Sequence, residues 1–412
     1  MKNGIFISLL LTLLVSSCSS MKQFRYMAKG KAPKGTFRTE IPFEIHNKLI
    51  VIKVKLDGSD KEYEFMVDTG APVSVIYKDV FAAAKADTVM TYEVRDTRGN
   101  SEKSVYVLLD MTLGTSKFRD IFTAYTPEPS EMVRCIAVDG IIGANLMQTA
   151  NWEIDMVNQK IILTDFKSGR PNLEDYQKVS GAKRSPSMRM PWLTVVPGLT
   201  VDLEIKGKKF KDVYIDTGSS GSLTMPKDGE IDSLFKNEKK TVLWGYSGFG
   251  LLGGGMDTTY SYNHVAVELG KIHIPNPGID TYKRSSSLLG MGILSDYKLF
   301  FDFRKNDLYL KPNVGEKKTA DKKEFGFYIH YDHKSKVFTV ANLYEGSAAV
   351  KAGLQLTDTV VEIRNQKLPD FADFCEFRAW SKTLVKGEGP IIVKIKRDDL
   401  VFTIEKEVLP ER

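Results

Sequence analysis

Alternation of apolar and polar residues dominates most of the chain. Leu49 to Leu56 places Ile50, Ile52, Val54 and Leu56 on one side, Asp57-Gly58-Ser59-Asp60 reads as a turn, and Glu62 to Val67 alternates again. The same sequence of strand, turn and strand recurs in Leu199 to Ile205, around Gly207, and in Phe210 to Ile215. Helical periodicity is scarce until Asp370 to Lys386, where Phe374 and Phe377 share an apolar face, and Ile391 to Ile395 and Val401 to Ile404 read as final strands. The pattern predicts a mainly β protein.

Laid against itself, the chain repeats. Phe65-Met66-Val67-Asp68-Thr69-Gly70 recurs as Val213-Tyr214-Ile215-Asp216-Thr217-Gly218 at an offset of 148 residues. Gly140-Ile141-Ile142-Gly143 recurs as Ser287-Leu288-Leu289-Gly290, and Trp152-Glu153-Ile154-Asp155 as Leu299-Phe300-Phe301-Asp302, both at 147. Three segments in one order at nearly one offset imply a duplicated unit. Two all-β lobes are expected, at residues 40–166 and 190–312. The polar stretch 167–189, with Ser168-Gly169-Arg170-Pro171 and Arg184-Ser185-Pro186, reads as the linker between them.

A lone Asp-Thr-Gly is an ordinary strand-ending turn. Here each copy follows an alternating strand in an equivalent place of a duplicated unit, and a pseudo-twofold axis brings Asp68 and Asp216 face to face. Two adjacent carboxyls cannot both ionise easily, so the pair holds one proton and can activate a water against a carbonyl without metal or cofactor. Thr69 and Thr217 can bond across the axis, and Gly70 and Gly218 allow the backbones to approach. The paired motifs resemble the pepsin/retropepsin family of aspartic peptidases. Asp139-Gly140-Ile141-Ile142-Gly143-Ala144-Asn145-Leu146 and Leu288-Leu289-Gly290 are similar to the apolar-apolar-glycine motif that packs behind the catalytic loop there. The resemblance covers residues 40–312 and implies that Asp68 and Asp216 are the catalytic pair of an aspartic endopeptidase. It also implies a flap hairpin between each Asp-Thr-Gly and its glycine motif, at Arg95 to Asn100 in the first copy or Trp244 to Gly250 in the second, where Trp244, Tyr246 and Gly248 would cover substrate. Ser219 follows Gly218 where Ala71 follows Gly70. A serine hydroxyl can donate to an ionised aspartate and alanine cannot, which predicts a less acidic optimum than two hydroxyls would give.

Residues 322–408 carry a different pattern. Glu324-Phe325-Gly326-Phe327-Tyr328-Ile329, then Gly346-Ser347-Ala348-Ala349-Val350-Lys351-Ala352-Gly353-Leu354 and Asp358-Thr359-Val360-Val361-Glu362-Ile363, resemble a PDZ domain, a small α+β module. The resemblance implies that a peptide adds a strand beside Phe327 to Ile329, with backbone amides near Phe325, Gly326 and Phe327 holding a terminal carboxylate. The alternative is a stabilising domain with an occluded groove. His330 and His333 read as exposed polar residues rather than metal ligands, since no acidic or cysteine partner stands at a recognisable spacing.

The N-terminus changes where this chemistry would take place. Lys2, the apolar run Ile5 to Val15 and Val15-Ser16-Ser17-Cys18 resemble a bacterial lipoprotein signal. That implies removal of residues 1–17, lipidation of Cys18 and a tether over residues 18–39 that leaves the body outside the cytoplasm at the cell envelope, periplasmic or surface-exposed. Of the remaining cysteines, Cys135 and Cys375 lie 240 residues apart, and two buried free thiols are expected in preference to a disulfide. The net charge of +6 over 412 residues is dispersed, with no basic stripe, so nucleic acid binding is not expected. The expected partners are a peptide or protein substrate, a peptide at the PDZ-like groove and a membrane through the anchor. The competing reading is a non-catalytic peptide-binding lipoprotein that retained a protease fold.

Overall fold

The computed structural model describes residues 25–409 apart from 85, 96–100, 138, 168, 180–182, 185–197, 285, 314–322 and 388. The leader 1–17, Cys18, residues 18–24 of the tether, the tip of the first candidate flap and part of the stretch 167–189 therefore lie outside the described residues. The protein is mainly β. Among the described residues no helix is long and apolar enough to cross a membrane.

The two repeats fold alike around their Asp-Thr-Gly turns. Glu62–Asp68 runs antiparallel to Leu49–Leu56 and parallel to Gly140–Gly143, in a register that sets Asp68 beside Gly143. Lys208–Asp216 runs antiparallel to Leu199–Ile205 and parallel to Leu288–Gly290, setting Asp216 beside Gly290. Beyond each turn a short strand returns, Ser74–Ile76 or Leu223–Pro226, antiparallel to the glycine-motif strand and parallel to a further one. Apolar side chains alternate into the core because the pleat sends successive residues to opposite faces.

The equivalent strands Asn151–Asp155 and Tyr297–Asp302 pair antiparallel with each other. Glu153 lies opposite Phe300, its own counterpart at offset 147. Ile154 opposite Leu299 is matched by Phe301 opposite Trp152. This register is unchanged when the repeats are exchanged, so a local twofold axis passes between Glu153 and Phe300. The Trp152 and Phe301 side chains are fully buried there, in one apolar core that spans both repeats.

Two boundaries differ from those expected. The first repeat begins before residue 40: Met27 is buried in its core, Tyr26 stacks on Phe122, and Lys31 bridges to Arg119. The stretch 167–189 is also more than a linker. Gln177–Lys178 pairs with Asp307–Pro312, Val179 is fully buried, and Arg170 binds Asp302 through its guanidinium. These polar residues take partners from the opposite repeat, which sequence-local reasoning does not register.

The C-terminal unit has its own core, built on Tyr331, Phe338, Val340, Phe377, Val393 and Ile395. Strands Phe327–Asp332, Val337–Tyr344, Thr359–Ile363, Ile391–Ile395 and Val401–Ile404 form an antiparallel series. Helix Ala348–Ala352 starts at Ser347, whose hydroxyl accepts the Val350 amide, and stops at Gly353 with φ +98°. Helix Phe374–Lys386 starts at Asp373, whose carboxylate accepts the Glu376 amide at 2.9 Å.

This unit also corrects the cysteine expectation. Cys135 and Cys375 are joined by a disulfide between the first repeat and helix Phe374–Lys386. Their spacing in sequence carried no sign of this, because only the packing of the two units brings the sulfurs together. His330 and His333 are half-buried rather than exposed: His330 sits between the Tyr246 and Phe374 rings, and His333 Nδ1 lies 2.7 Å from Glu131.

Candidate active site

The two Asp-Thr-Gly turns meet at the repeat boundary. The Thr69 amide donates to Thr217 Oγ1 at 3.0 Å, and the Thr217 amide donates to Thr69 Oγ1 at 3.0 Å. Each hydroxyl also donates a hydrogen bond across, Thr69 to the Ile215 carbonyl at 2.7 Å and Thr217 to the Val67 carbonyl at 2.9 Å. Both threonines are buried, so these bonds form without competing water. The four bonds fix the turns relative to one another.

That frame sets the Asp216 carboxyl against Gly70 and the Asp68 carboxyl against Gly218, near enough for the charge of Asp68 to act on Asp216. Asp68 Oδ1 accepts the amides of Gly70 at 2.7 Å and Ala71 at 3.0 Å, while Asp216 Oδ1 accepts Gly218 at 2.9 Å. Glycine is required on both sides of the axis. A Cβ at Gly70 would lie 2.7 Å from Asp216 Cγ, and one at Gly218 would lie 2.3 Å from Asp68 Cγ.

The apolar-apolar-glycine segments support the turns from behind. Gly143 packs where a Cβ would meet the Val73 backbone at 2.5 Å, and Gly290 where it would meet the Gly221 carbonyl at 2.4 Å. The amides that follow donate into the turns, Ala144 to the Ala71 carbonyl at 2.8 Å and Met291 to the Ser219 carbonyl at 2.7 Å. In the first repeat Asn145 adds a buried brace: its Oδ1 accepts the Ser74 amide at 2.8 Å, and its Nδ2 donates to the Phe122 carbonyl at 2.6 Å.

Electrostatics follow from burial and proximity. Burial pushes the Asp68 carboxyl up from the usual carboxylate range, opposed first by the Gly70 amide. Asp216 is pushed well above that range by burial, and next by the charge of Asp68 beside it; Arg284 pulls the other way. The pair therefore shares a proton at pH values where ordinary aspartates are ionised.

Ser219 behaves differently from expectation. Its hydroxyl is not bonded to Asp216 and instead lies against Gly290, 3.0 Å from the position a Cβ would take. Backbone amides bond the two aspartates unequally, two on Asp68 and one on Asp216. Two other residues had no signal in the motifs. Arg284, between strands Ile279–Tyr282 and Leu288–Gly290, binds the Tyr282 hydroxyl at 3.0 Å. The Tyr77 hydroxyl is buried close enough to Asp68 for that charge to act on it.

The other singled-out residues stand on other elements. Trp244, Tyr246 and Gly248 are on Thr241–Gly250, one strand of a hairpin with Gly253–Tyr262. Its tip reaches the first repeat, where Ser130 donates to the Gly250 and Leu251 carbonyls, each at 2.8 Å. Phe325, Gly326 and Phe327 are in the C-terminal unit: Phe325 is in its core, and Gly326, at φ +81°, accepts the Tyr344 amide at 2.9 Å. Among the described residues no group of three or more His, Cys, Asp or Glu is arranged to hold a metal ion.

No curated protein matches the chain. Residues 52–146, which include Asp68, Thr69, Gly70 and the Gly140–Gly143 strand, match the family described as Aspartyl protease, so the first repeat is similar to a retropepsin-like aspartic protease domain.

Proposed function

We propose that the chain is an aspartic endopeptidase whose two repeats are protease lobes, with Asp68 and Asp216 as the catalytic pair. The observation that carries this reading is that, inside the reciprocal threonine frame, each carboxyl is buried against the glycine of the opposite turn. A duplicated turn with only a structural role has no need to bury two acids against each other, an arrangement that raises the free energy of the charged state. With one proton shared, the ionised carboxylate takes a proton from water as that water attacks the scissile carbonyl carbon. The protonated partner gives its proton to the carbonyl oxygen. Collapse of the tetrahedral intermediate then expels the amine, which takes a proton back from the pair.

In this reading the hairpin Thr241–Gly250/Gly253–Tyr262 is the flap. Its tip contacts with Ser130 in the opposite repeat support that role. The C-terminal unit is PDZ-like and aids substrate capture or regulation. The strand Phe327–Asp332 and helix Phe374–Lys386, which pack near one another, would flank its peptide groove. The Cys135–Cys375 disulfide supports an oxidising compartment, which agrees with an envelope lipoprotein anchored at Cys18.

The test is incubation of the protein lacking residues 1–18 with a mixed peptide library from about pH 3 to pH 8, the span over which a carboxyl pair titrates. Cleavage that either Asp68→Asn or Asp216→Asn abolishes supports the shared pair. A folded parent that cleaves nothing at any pH overturns the general-peptidase reading and favours the peptide-binding scaffold or a single-partner processing enzyme.

A further inference from the structure

The hairpin that we read as the flap is poorly equipped to hold its own shape. Six glycines fall between Gly245 and Gly255, and a two-stranded hairpin is marginal by itself. Its position is set from outside on both edges: Tyr260, Ser261 and Tyr262 pair antiparallel with Thr281, Asp280 and Ile279 of the same repeat, and the other strand is held by the C-terminal unit. Leu243, Trp244 and Gly245 pair antiparallel with Tyr344, Leu343 and Asn342, so the hairpin and the C-terminal sheet are continuous. The Glu345 amide donates to the Val242 carbonyl at 2.9 Å. Asn342 Nδ2 donates to the Tyr246 carbonyl at 2.8 Å and is 3.4 Å from the Trp244 carbonyl, spanning Gly245. Gly245 has φ +120°, and a Cβ there would fall 2.0 Å from the Ala341 carbonyl oxygen, so the strand fits only as glycine.

The far end of the hairpin is tied to the same unit by another route. Ser130, which holds the tip, precedes helix Glu131–Arg134, and Cys135 immediately after it is bonded to Cys375. Glu131 lies 2.7 Å from His333, and Met132 packs on the C-terminal core. The contacts close a ring: hairpin base, C-terminal strand, disulfide, Ser130, hairpin tip.

Resting on the aspartic-peptidase reading, we propose that the C-terminal unit is a working support of the flap, with Asn342 as a positioning residue for hydrolysis and the Cys135–Cys375 disulfide as the tether that fixes the tip. Asn342 touches no reacting atom; it acts through the Trp244 and Tyr246 backbone. The Asn342 amide is needed as a donor, since both its targets are carbonyl oxygens.

The experiment uses the full mature chain and compares the parent, Asn342→Ala, Asn342→Asp and the Cys135→Ser/Cys375→Ser double variant. The parent is also treated with dithiothreitol, which gives two electrons and two protons to the disulfide and itself becomes a cyclic disulfide. Hydrogen exchange of residues 241–262 is read by mass spectrometry, with the strands Glu62–Asp68 and Lys208–Asp216 as internal controls. Each change is expected to speed exchange in the hairpin at least tenfold while the control strands stay protected. Asn342→Asp, which keeps the shape and loses the donor, is expected to match Asn342→Ala. For peptide cleavage, kcat/KM is expected to fall about tenfold, the usual scale for losing a hydrogen bond of this kind. Unchanged hairpin exchange in both the Asn342 variants and the reduced parent overturns the proposal, whether or not the protein cleaves peptides. Faster exchange with unchanged kcat/KM overturns the positioning role of Asn342. A parent that cleaves nothing sinks the peptidase reading and that positioning role with it, while exchange still decides whether the C-terminal unit supports the hairpin.

Discussion

Thr69 and Thr217 each accept the other's backbone amide at 3.0 Å, and each hydroxyl donates to a carbonyl of the opposite strand. One hydroxyl thus serves two bonds, and the frame needs both donor and acceptor character at each position. Thr69→Ser keeps both and is expected to retain most activity. Thr69→Val keeps the volume but leaves the buried Thr217 amide and Ile215 carbonyl without partners. A loss of about 1–3 kcal/mol per orphaned group is expected, measured by denaturant unfolding, together with at least a hundredfold drop in peptide cleavage. Equal stability of the Val and Ser variants would show that the frame is not what holds the turns together.

Gly70 and Gly218 test the close approach separately from the frame. A methyl at Gly218 would lie 2.3 Å from Asp68 Cγ, closer than the 2.7 Å between one at Gly70 and Asp216 Cγ. Alanine at either position must push the opposing carboxyl away. Gly218→Ala is expected to abolish cleavage, and Gly70→Ala to do the same or leave a trace, with both proteins folded by circular dichroism. An active Gly218→Ala enzyme would mean that the two carboxyls work at a greater separation than they have here.

The repeat was legible in the sequence because its segments are local. Each Asp-Thr-Gly follows an alternating strand and gains its meaning from recurring in an equivalent place, and the strand Ile391–Ile395 falls where the alternation puts it. What was not legible depends on which surfaces meet. The Cys135–Cys375 bond, the burial of Val179 and the pairing of Gly245 with Asn342 each join segments remote in sequence, and nothing in either partner announces the other. Ser219 was misread for a related reason. The residue type allowed a bond to Asp216, but the turn aims the side chain at Gly290.

The dyad's titration has a direction. Burial and the neighbouring charge raise Asp216 well above the ordinary range, so the pair keeps its shared proton, and activity is expected to persist above the pH where free aspartates lose theirs. Arg284 opposes this by favouring the ionised form. Replacing it with Gln removes that pull, so the alkaline limb of the kcat/KM profile is expected to move to higher pH while the fold is kept. A limb that stays in place or moves to lower pH would exclude Arg284 from the dyad's electrostatics.

The same shift makes a statement about stability. A carboxyl whose folded pKa is raised favours the fold most below its unfolded pKa, and that contribution is lost as pH rises through the folded value. At neutral pH the pair is therefore a burden on the native state. Asp216→Asn removes one buried acid and keeps the shape. Its melting temperature is expected to equal or exceed that of the parent at pH 7, by on the order of 2–4 °C for each kcal/mol relieved. The gap should shrink as the pH is lowered toward about 4, near the unfolded carboxyl value. A variant that melts lower than the parent at pH 7 would mean that the Asp216 carboxylate is stabilised by contacts stronger than its repulsion from Asp68.

Tyr77 offers a test of the ground behind the dyad. Its hydroxyl is buried with no hydrogen-bond partner among the described residues, and burial, then the charge of Asp68, pushes its ionisation upward, so the phenol stays neutral. A buried hydroxyl without a partner costs about 1–3 kcal/mol relative to its hydrated state, whereas the ring itself belongs to the apolar core. Tyr77→Phe keeps the ring and removes the cost. The variant is expected to be more stable than the parent by about 1 kcal/mol in denaturant unfolding, with its pH–activity profile unchanged. A destabilised variant would show that the hydroxyl has a bound partner in solution, and a shifted acid limb would place that partner in the dyad itself.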